Sequence, residues 1–210
     1  MAAAAADDIR VRQRALAADA ETTGAGTDPG FVRERERFGG YSHQEIWDQV
    51  HEALDPAALG AAAGGWQQAG AALGAAFETF AAATAREFAD WTGRSADQAL
   101  RATQEFIAQG LGALQVCDTI RRLLELNSDA AQTIRCALPP VRSYTPLPDP
   151  AAEAVHGGRR RWEHELSAAA AQAEAQDVMT YLYNPTMPAS GDSVPRFRDE
   201  PPSAGGSGAR

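Results

Sequence analysis

Few side chains in this sequence are spaced for chemistry. Glu153 and His156 form a Glu-x-x-His pair, a spacing that offers a carboxylate and an imidazole from one helix to a metal. Di-iron bundles need two such pairs and two further inward glutamates. Asp48-Gln49-Val50-His51 is a poor second copy, and His156 runs into Gly157-Gly158 near an expected helix start. The histidines therefore read as surface residues, and no metal site is expected. There is no Gly-x-Ser-x-Gly elbow, no Gly-rich phosphate loop and no His-Glu-x-x-His. The glycines from Gly60 to Gly70 follow a helix start, not a strand. Cys117 and Cys136 fall on one expected helix, roughly 28 Å apart at 1.5 Å per residue. That exceeds disulfide reach, so both should be free thiols. Neither catalysis nor a cofactor is expected.

The elements behind these residues are long helices. Between Asp55 and Trp91, apolar residues recur at Leu59, Ala62, Trp66, Ala69, Leu73, Phe77, Phe80, Thr84, Phe88 and Trp91. Every step is three or four, the repeat of one buried helical face. After Trp91-Thr92-Gly93 the pattern resumes at Ala96, Ala99, Thr103, Phe106, Gly110, Ala113, Cys117, Ile120, Leu124, Asn127, Ala131, Ile134 and Leu138. Two such stripes with a short break fold back on each other, because neither buries its seam alone. Small seam residues such as Ala62, Ala69, Gly110 and Ala113 favour a thin bundle with close axes over a pocket-bearing globule. The expected fold class is all-α: an elongated antiparallel helical hairpin with an additional long C-terminal helix, bundle-like.

Local signals place the boundaries. Ser42-His43-Gln44-Glu45 is a capping box, with Tyr41 and Ile46 placed as a hydrophobic staple. Asp55-Pro56 and Asp149-Pro150 are cap-plus-proline starts. Gly93 can take a left-handed conformation to end the first long helix, and Ser95-Ala96-Asp97-Gln98 offers a second capping box. Pro139-Pro140 stops the second long helix, and a last helix is expected from about Ala151 to Leu182. Residues 1–39 read as a loosely ordered N-terminal arm, in which Asp8 to Ala20 could form a short helix and Arg33 to Arg37 is a solvated charge run. Residues 40–183 form the helical domain. Residues 184–210 read as a disordered Pro/Gly/Ser tail.

Charge narrows the partners. A formal charge of −9 and a pI near 4.9 repel phosphate backbones, so no nucleic acid partner is expected. No run approaches the ~18 apolar residues of a membrane span. The N-terminus lacks the basic start and apolar core of a secretory signal.

An alanine-rich hairpin closed by Trp91-Thr92-Gly93 resembles the substrates of bacterial type VII (ESX) secretion systems. With its long helices and a third long helix after them, the chain is more similar to the PPE-domain members than to the shorter W-x-G hairpins. The resemblance covers Gly40 to Tyr183. It is carried by Gly40-Tyr41-Ser42-His43-Gln44-Glu45, by the W-T-G turn, and by the exit from Ala137-Leu138-Pro139-Pro140 to Asp149-Pro150. It implies a non-enzymatic secretion substrate or effector that docks with a small PE-like or W-x-G hairpin protein. It also implies a cytosolic chaperone, a secretion ATPase, and export from the cytoplasm to the exterior or cell surface. Trp91 and Gly93 would belong to the export recognition surface. The family's Pro-Pro-Glu tripeptide is absent. Tyr41 and Glu45 match the family's Y-x-x-x-[DE] export spacing, but upstream of the hairpin, and helix capping accounts for the same two residues. The alternative from the same seams is a self-associating cytosolic helical scaffold.

Overall fold

Side-chain caps set three of the helix starts. The Ser42 hydroxyl accepts the Glu45 amide at 3.3 Å, and the Glu45 carboxylate accepts the Ser42 amide at 2.7 Å. This closed capping box opens α2 (His43–Ala53). Asp55 accepts the amides of Ala57 and Ala58 at 2.8 and 3.2 Å, with Pro56 in the first turn of α3 (Pro56–Glu87). Asp149 accepts the Ala151 amide at 3.0 Å and starts α5 (Pro150–Val178). The long helix α4 (Arg94–Ala137) lies between them, and α1 (Ala2–Thr22) precedes them all. A π-helical turn, Met179–Tyr183, leads into α6 (Asn184–Ser190). The computed structural model describes residues 2–22, 26–32 and 34–197. Among these there is no strand, only an isolated antiparallel bridge between Thr27 and Pro195. The fold is all-α and bundle-like.

Helices α3 and α4 form the expected antiparallel hairpin. Gly60 faces Ser128, Gly70 faces Cys117, Gly74 faces Leu114 and Gly110 faces Phe77. With 32 and 44 residues, the helices are ~48 and ~66 Å long. The corner differs from expectation. Phe88 closes α3, and Gly93 is the N-cap of α4 at φ 96 and ψ 176. Gly93 therefore launches the second helix and does not end the first, in a backbone region that side chains disfavour. The Asp97 amide already reaches the Gly93 carbonyl at 3.1 Å. Ser95 is thus inside the first turn, and the second capping box does not form.

The seam on α3 is also rotated. Leu59, Trp66, Leu73, Phe77, Thr84 and Phe88 are partly shielded, but Ala62, Ala69, Phe80 and Trp91 are exposed. Shielding moves instead to Ala63, Gly70, Gly74 and Ala81. Glycines allow the closest approach of two helices, so the contact line follows them and not the centre of the apolar residues. On α4 the expected seam is shielded from Ala96 to Leu138, except at Phe106. Cys117 is buried, Cys136 is exposed, and both are free thiols; burial pushes the Cys117 thiol up.

Helix α4 carries a second buried line that the stripe count did not contain: Val116, Leu123, Leu126 and Ala130. Ile9 and Leu16 of α1 close over Leu123, Leu126 and Ala130. Between them Gln13 is buried and donates to the Thr186 carbonyl at 3.1 Å. The expectation of a loosely ordered arm over 1–39 is corrected for its described part. Steps of four and three put Ile9, Gln13 and Leu16 on one face, and α4 supplies the surface they cover. The charge run is tied down as well. Arg35 pairs with Asp192 at 2.8 Å, and the Glu36 carbonyl accepts Asn184 Nδ2 at 2.9 Å.

The tail expected from residue 184 is likewise corrected through residue 197. Asn184, Thr186, Ser190 and Ser193 are buried. Pro185 sits in the first turn of α6, where it needs no amide proton. Residues 198–210 lie outside the described residues. A core cluster of Phe38, Ile46, Val50, Ile134, Leu138, Ala175, Met179 and Leu182 joins α2 to the C-terminal ends of α4 and α5.

The Gly110–Phe77 contact is a test of the hairpin. A Cβ at Gly110 would lie 2.1 Å from the Phe77 ring, so Gly110→Ala must displace it. Overpacking of about 1–3 kcal/mol, reduced by ~1 kcal/mol of helix propensity, should lower the denaturation midpoint. Adding Phe77→Leu should restore most of the loss. An unchanged midpoint for Gly110→Ala would show that the ring is not held there.

Candidate docking surface

The closed end of the hairpin carries large apolar side chains that the described residues leave exposed. Trp91 is 58% exposed and stacks on Phe88, with ring centroids 5.4 Å apart and planes at 24°. Further along, Phe106 touches both Phe77 and Phe80 at 5.4 Å. Phe106 is 50% exposed and Leu111 is 55% exposed; Phe80 and Leu100 are exposed as well. A two-helix hairpin buries only the line where its helices meet. Residues on the flanks of that line stay wet unless a third element lies over them. Exposed apolar groups clustered in this way mark an interaction surface more often than scattered ones do.

The four residues singled out from sequence fall into two separate places. Trp91 and Gly93 share the hairpin corner. Tyr41 and Glu45 sit at the start of α2, where Tyr41 packs on the cluster containing Ile134 and Leu138. Ile134 lies 41 residues beyond Gly93 on one helix, ~60 Å away at helical rise. The structure therefore joins Tyr41 to Glu45 but brings neither to Trp91.

The Tyr41–Glu45 site is tied to its own chain by hydrogen bonds. The Tyr41 hydroxyl donates to the Glu36 carboxylate, and the Tyr41 carbonyl accepts Gln176 Nε2 at 3.0 Å. Hydrogen bonding to Glu36, then its charge, pushes the Tyr41 phenol above its ordinary value. The Glu45 carboxylate accepts both the backbone amide and the hydroxyl of Ser42 at 2.7 Å. Those bonds, the amide first, hold its carboxyl below the usual range.

The Glu153–His156 pair is committed elsewhere. Residues 139–148 run antiparallel along the first half of α5. His164 bonds the Arg142 carbonyl at 3.1 Å, and Arg160 donates to the Thr145 carbonyl at 3.3 Å. Glu153 accepts the Leu147 amide at 2.9 Å, the Tyr144 hydroxyl at 2.9 Å and Arg161 Nη2 at 3.1 Å. The Leu147 amide does most to lower its pKa. Gly157 makes room for this carboxylate, since a Cβ there would lie 2.3 Å from Oε1. His156 is exposed. His51 stacks on Trp47 at 3.9 Å and bonds the Trp47 carbonyl through Nδ1 at 2.9 Å. Among the described residues no group of three His, Cys, Asp or Glu side chains could hold a metal, and no helix is long and apolar enough to cross a membrane.

Sequence reasoning placed Phe80 and Phe106 in the buried seam and gave Leu100 and Leu111 no role. For the two leucines a signal was available: Leu100 and Leu111 lie off the α4 seam that ends at Leu138. Comparison of the chain with protein-family models, with curated proteins and with solved structures finds no match.

The α2 cap has a pH signature. Because the folded Glu45 pKa is lowered, its contribution is complete above the unfolded value of about 4.3 and fades as pH falls through the folded value. Hydrogen-exchange protection of α2 amides should fall on acidification in the natural chain. In Glu45→Gln it should be lower at neutral pH and flatter below it. Ser42→Ala should cost about 1 kcal/mol at neutral pH. Equal acid sensitivity in both chains would remove Glu45 from the cap.

Proposed function

We propose that the chain works by docking and not by chemistry, as a PPE-like substrate or effector of type VII secretion. The observation that carries this reading is the uncovered aromatic edge beside Trp91 at the closed corner of a long helical hairpin. Phe80, Leu100, Phe106 and Leu111 are the exposed apolar side chains along this part of the hairpin. The complementary object is another helical hairpin, laid along the first to give four-helix packing with a buried seam. In this reading the partner is a small PE-like or W-x-G protein, the chain is made in the cytoplasm, and the complex is exported. A secretion chaperone and ATPase would act on it along the way. The Trp91–Gly93 corner belongs to the recognition surface, and Gly93 sets its shape through its positive φ. Tyr41 and Glu45 serve as a helix cap, and the partner supplies the tyrosine-based export signal.

The double variant Trp91→Ala/Gly93→Ala tests this. Trp91 is exposed, and the strain that Gly93→Ala adds at φ 96 is confined to the corner, so the circular-dichroism helix signal should fall only slightly while export is lost. Phe106→Glu should separately prevent co-purification with a co-expressed hairpin protein encoded beside this chain. Normal export of the double variant would falsify the secretion reading. Undiminished partner binding by Phe106→Glu would remove the aromatic edge from it.

A further inference from the structure

A second surface lies along α3 and runs from its N-cap to its last turn before the corner. From Pro56 to Phe77 the helix has no charged residue, in a chain that is 22% charged. About five would be expected in such a stretch at that composition. Starting at Asp55 and stepping alternately three and four residues, one line runs along the helix to Arg86, and every residue on it is exposed. Its interior positions are all alanine, glycine or threonine; its ends are an acid and a base. Strict alternation of threes and fours is the heptad spacing of a coiled-coil seam. The spacing of this line is the same counted from either end. A copy laid antiparallel pairs Asp55 with Arg86, Ala58 with Ala83, Ala62 with Thr79, Gly65 with Ala76 and Ala69 with Ala72. Opposite charges then meet at both ends. A parallel copy would set Asp55 on Asp55 and Arg86 on Arg86.

We propose that α3 pairs antiparallel with α3 of a second copy, with Ala69 and Ala72 at the two-fold centre and Asp55–Arg86 ion pairs at both ends. The charge pattern is what selects this occupant. Among the described residues Arg86 has no salt-bridge partner. The two capping amides take Asp55 Oδ1 and leave Oδ2 as an acceptor. Small seam residues let the axes approach to about 8 Å, so that van der Waals contact runs along the whole line. The neutral seam also keeps the −9 charge of each copy away from the contact. Such a closed two-fold interface is self-complementary. It is separate from Phe106 and Leu111 on α4, so it stands whether or not the secretion reading does.

Sedimentation equilibrium of the full chain at about 0.15 M salt tests the pairing. The expected mass is that of two 22.2 kDa chains. Ala72→Glu places like charges at the centre and should raise the dimer Kd about 100-fold with the dichroism unchanged. Arg86→Asp should raise it about 10-fold, and more salt should narrow that difference. For register, Ala62→Cys and Thr79→Cys chains are made in a Cys136→Ser background. Mixed under oxidation they should cross-link to each other, and neither should cross-link to itself. A monomer at about 100 µM, a wild-type Kd for Ala72→Glu, or self-cross-linking of Ala62→Cys would each overturn the proposal.

Discussion

Helix α4 has to be buried on two sides at once. Its seam residues Cys117, Ala131 and Ile134 and its second line of Val116, Leu123, Leu126 and Ala130 are all out of solvent. No single neighbour covers both. Helix α3 takes the first line along most of the helix, and α1 takes the second near the C-terminal half. Each buried aliphatic side chain there contributes about 1.5–3 kcal/mol. The chain therefore spends its N-terminal and C-terminal segments on one half of α4 and leaves the other half as a bare hairpin.

The polar contacts follow the same division. In the body, buried amides and hydroxyls span long stretches of sequence: Gln13 to Thr186, Asn127 to Ser190, Asn184 to Glu36. Arg135 reaches the carbonyls of His51 and Leu54 at 3.2 and 2.6 Å and fixes the α2–α3 junction on α4. Each such bond is worth about 1 kcal/mol net, but leaving a buried partner unpaired costs more. These bonds select one arrangement of the segments. In the distal hairpin Thr79 and Thr84 of α3 bond locally, to carbonyls within the same helix. There the packing is aromatic on one side and alanine on the other.

That contrast gives the molecule its functional logic. The core of the body is closed by its own chain, although Trp162 and Leu166 of α5 are exposed as well. A hairpin with an aromatic edge and an uncharged small-residue face offers two surfaces of different character. The aromatic edge suits side chains that fill a groove. The alanine face suits a helix backbone that approaches closely. The Tyr41–Glu45 pair, tied to Ser42, Glu36 and Gln176, belongs to the closed half.

What the sequence determined by itself was local. Ser42 with Glu45, Asp55 with Pro56 and Asp149 with Pro150 start their helices because each cap reaches amides two or three residues away. The threes and fours on either side of Trp91-Thr92-Gly93 were enough to read an all-α hairpin. Tertiary structure decided which faces were covered. The contact line on α3 turned toward Gly70 and Gly74 because closeness of approach depends on both helices together. Residues 2–22 and 184–197 packed because α4 carried a second apolar line whose complements lie far away in sequence on either side of it. Exposure of Phe80, Leu100, Phe106 and Leu111 was settled in the same way, since a side chain is wet or dry according to what the rest of the chain leaves over it.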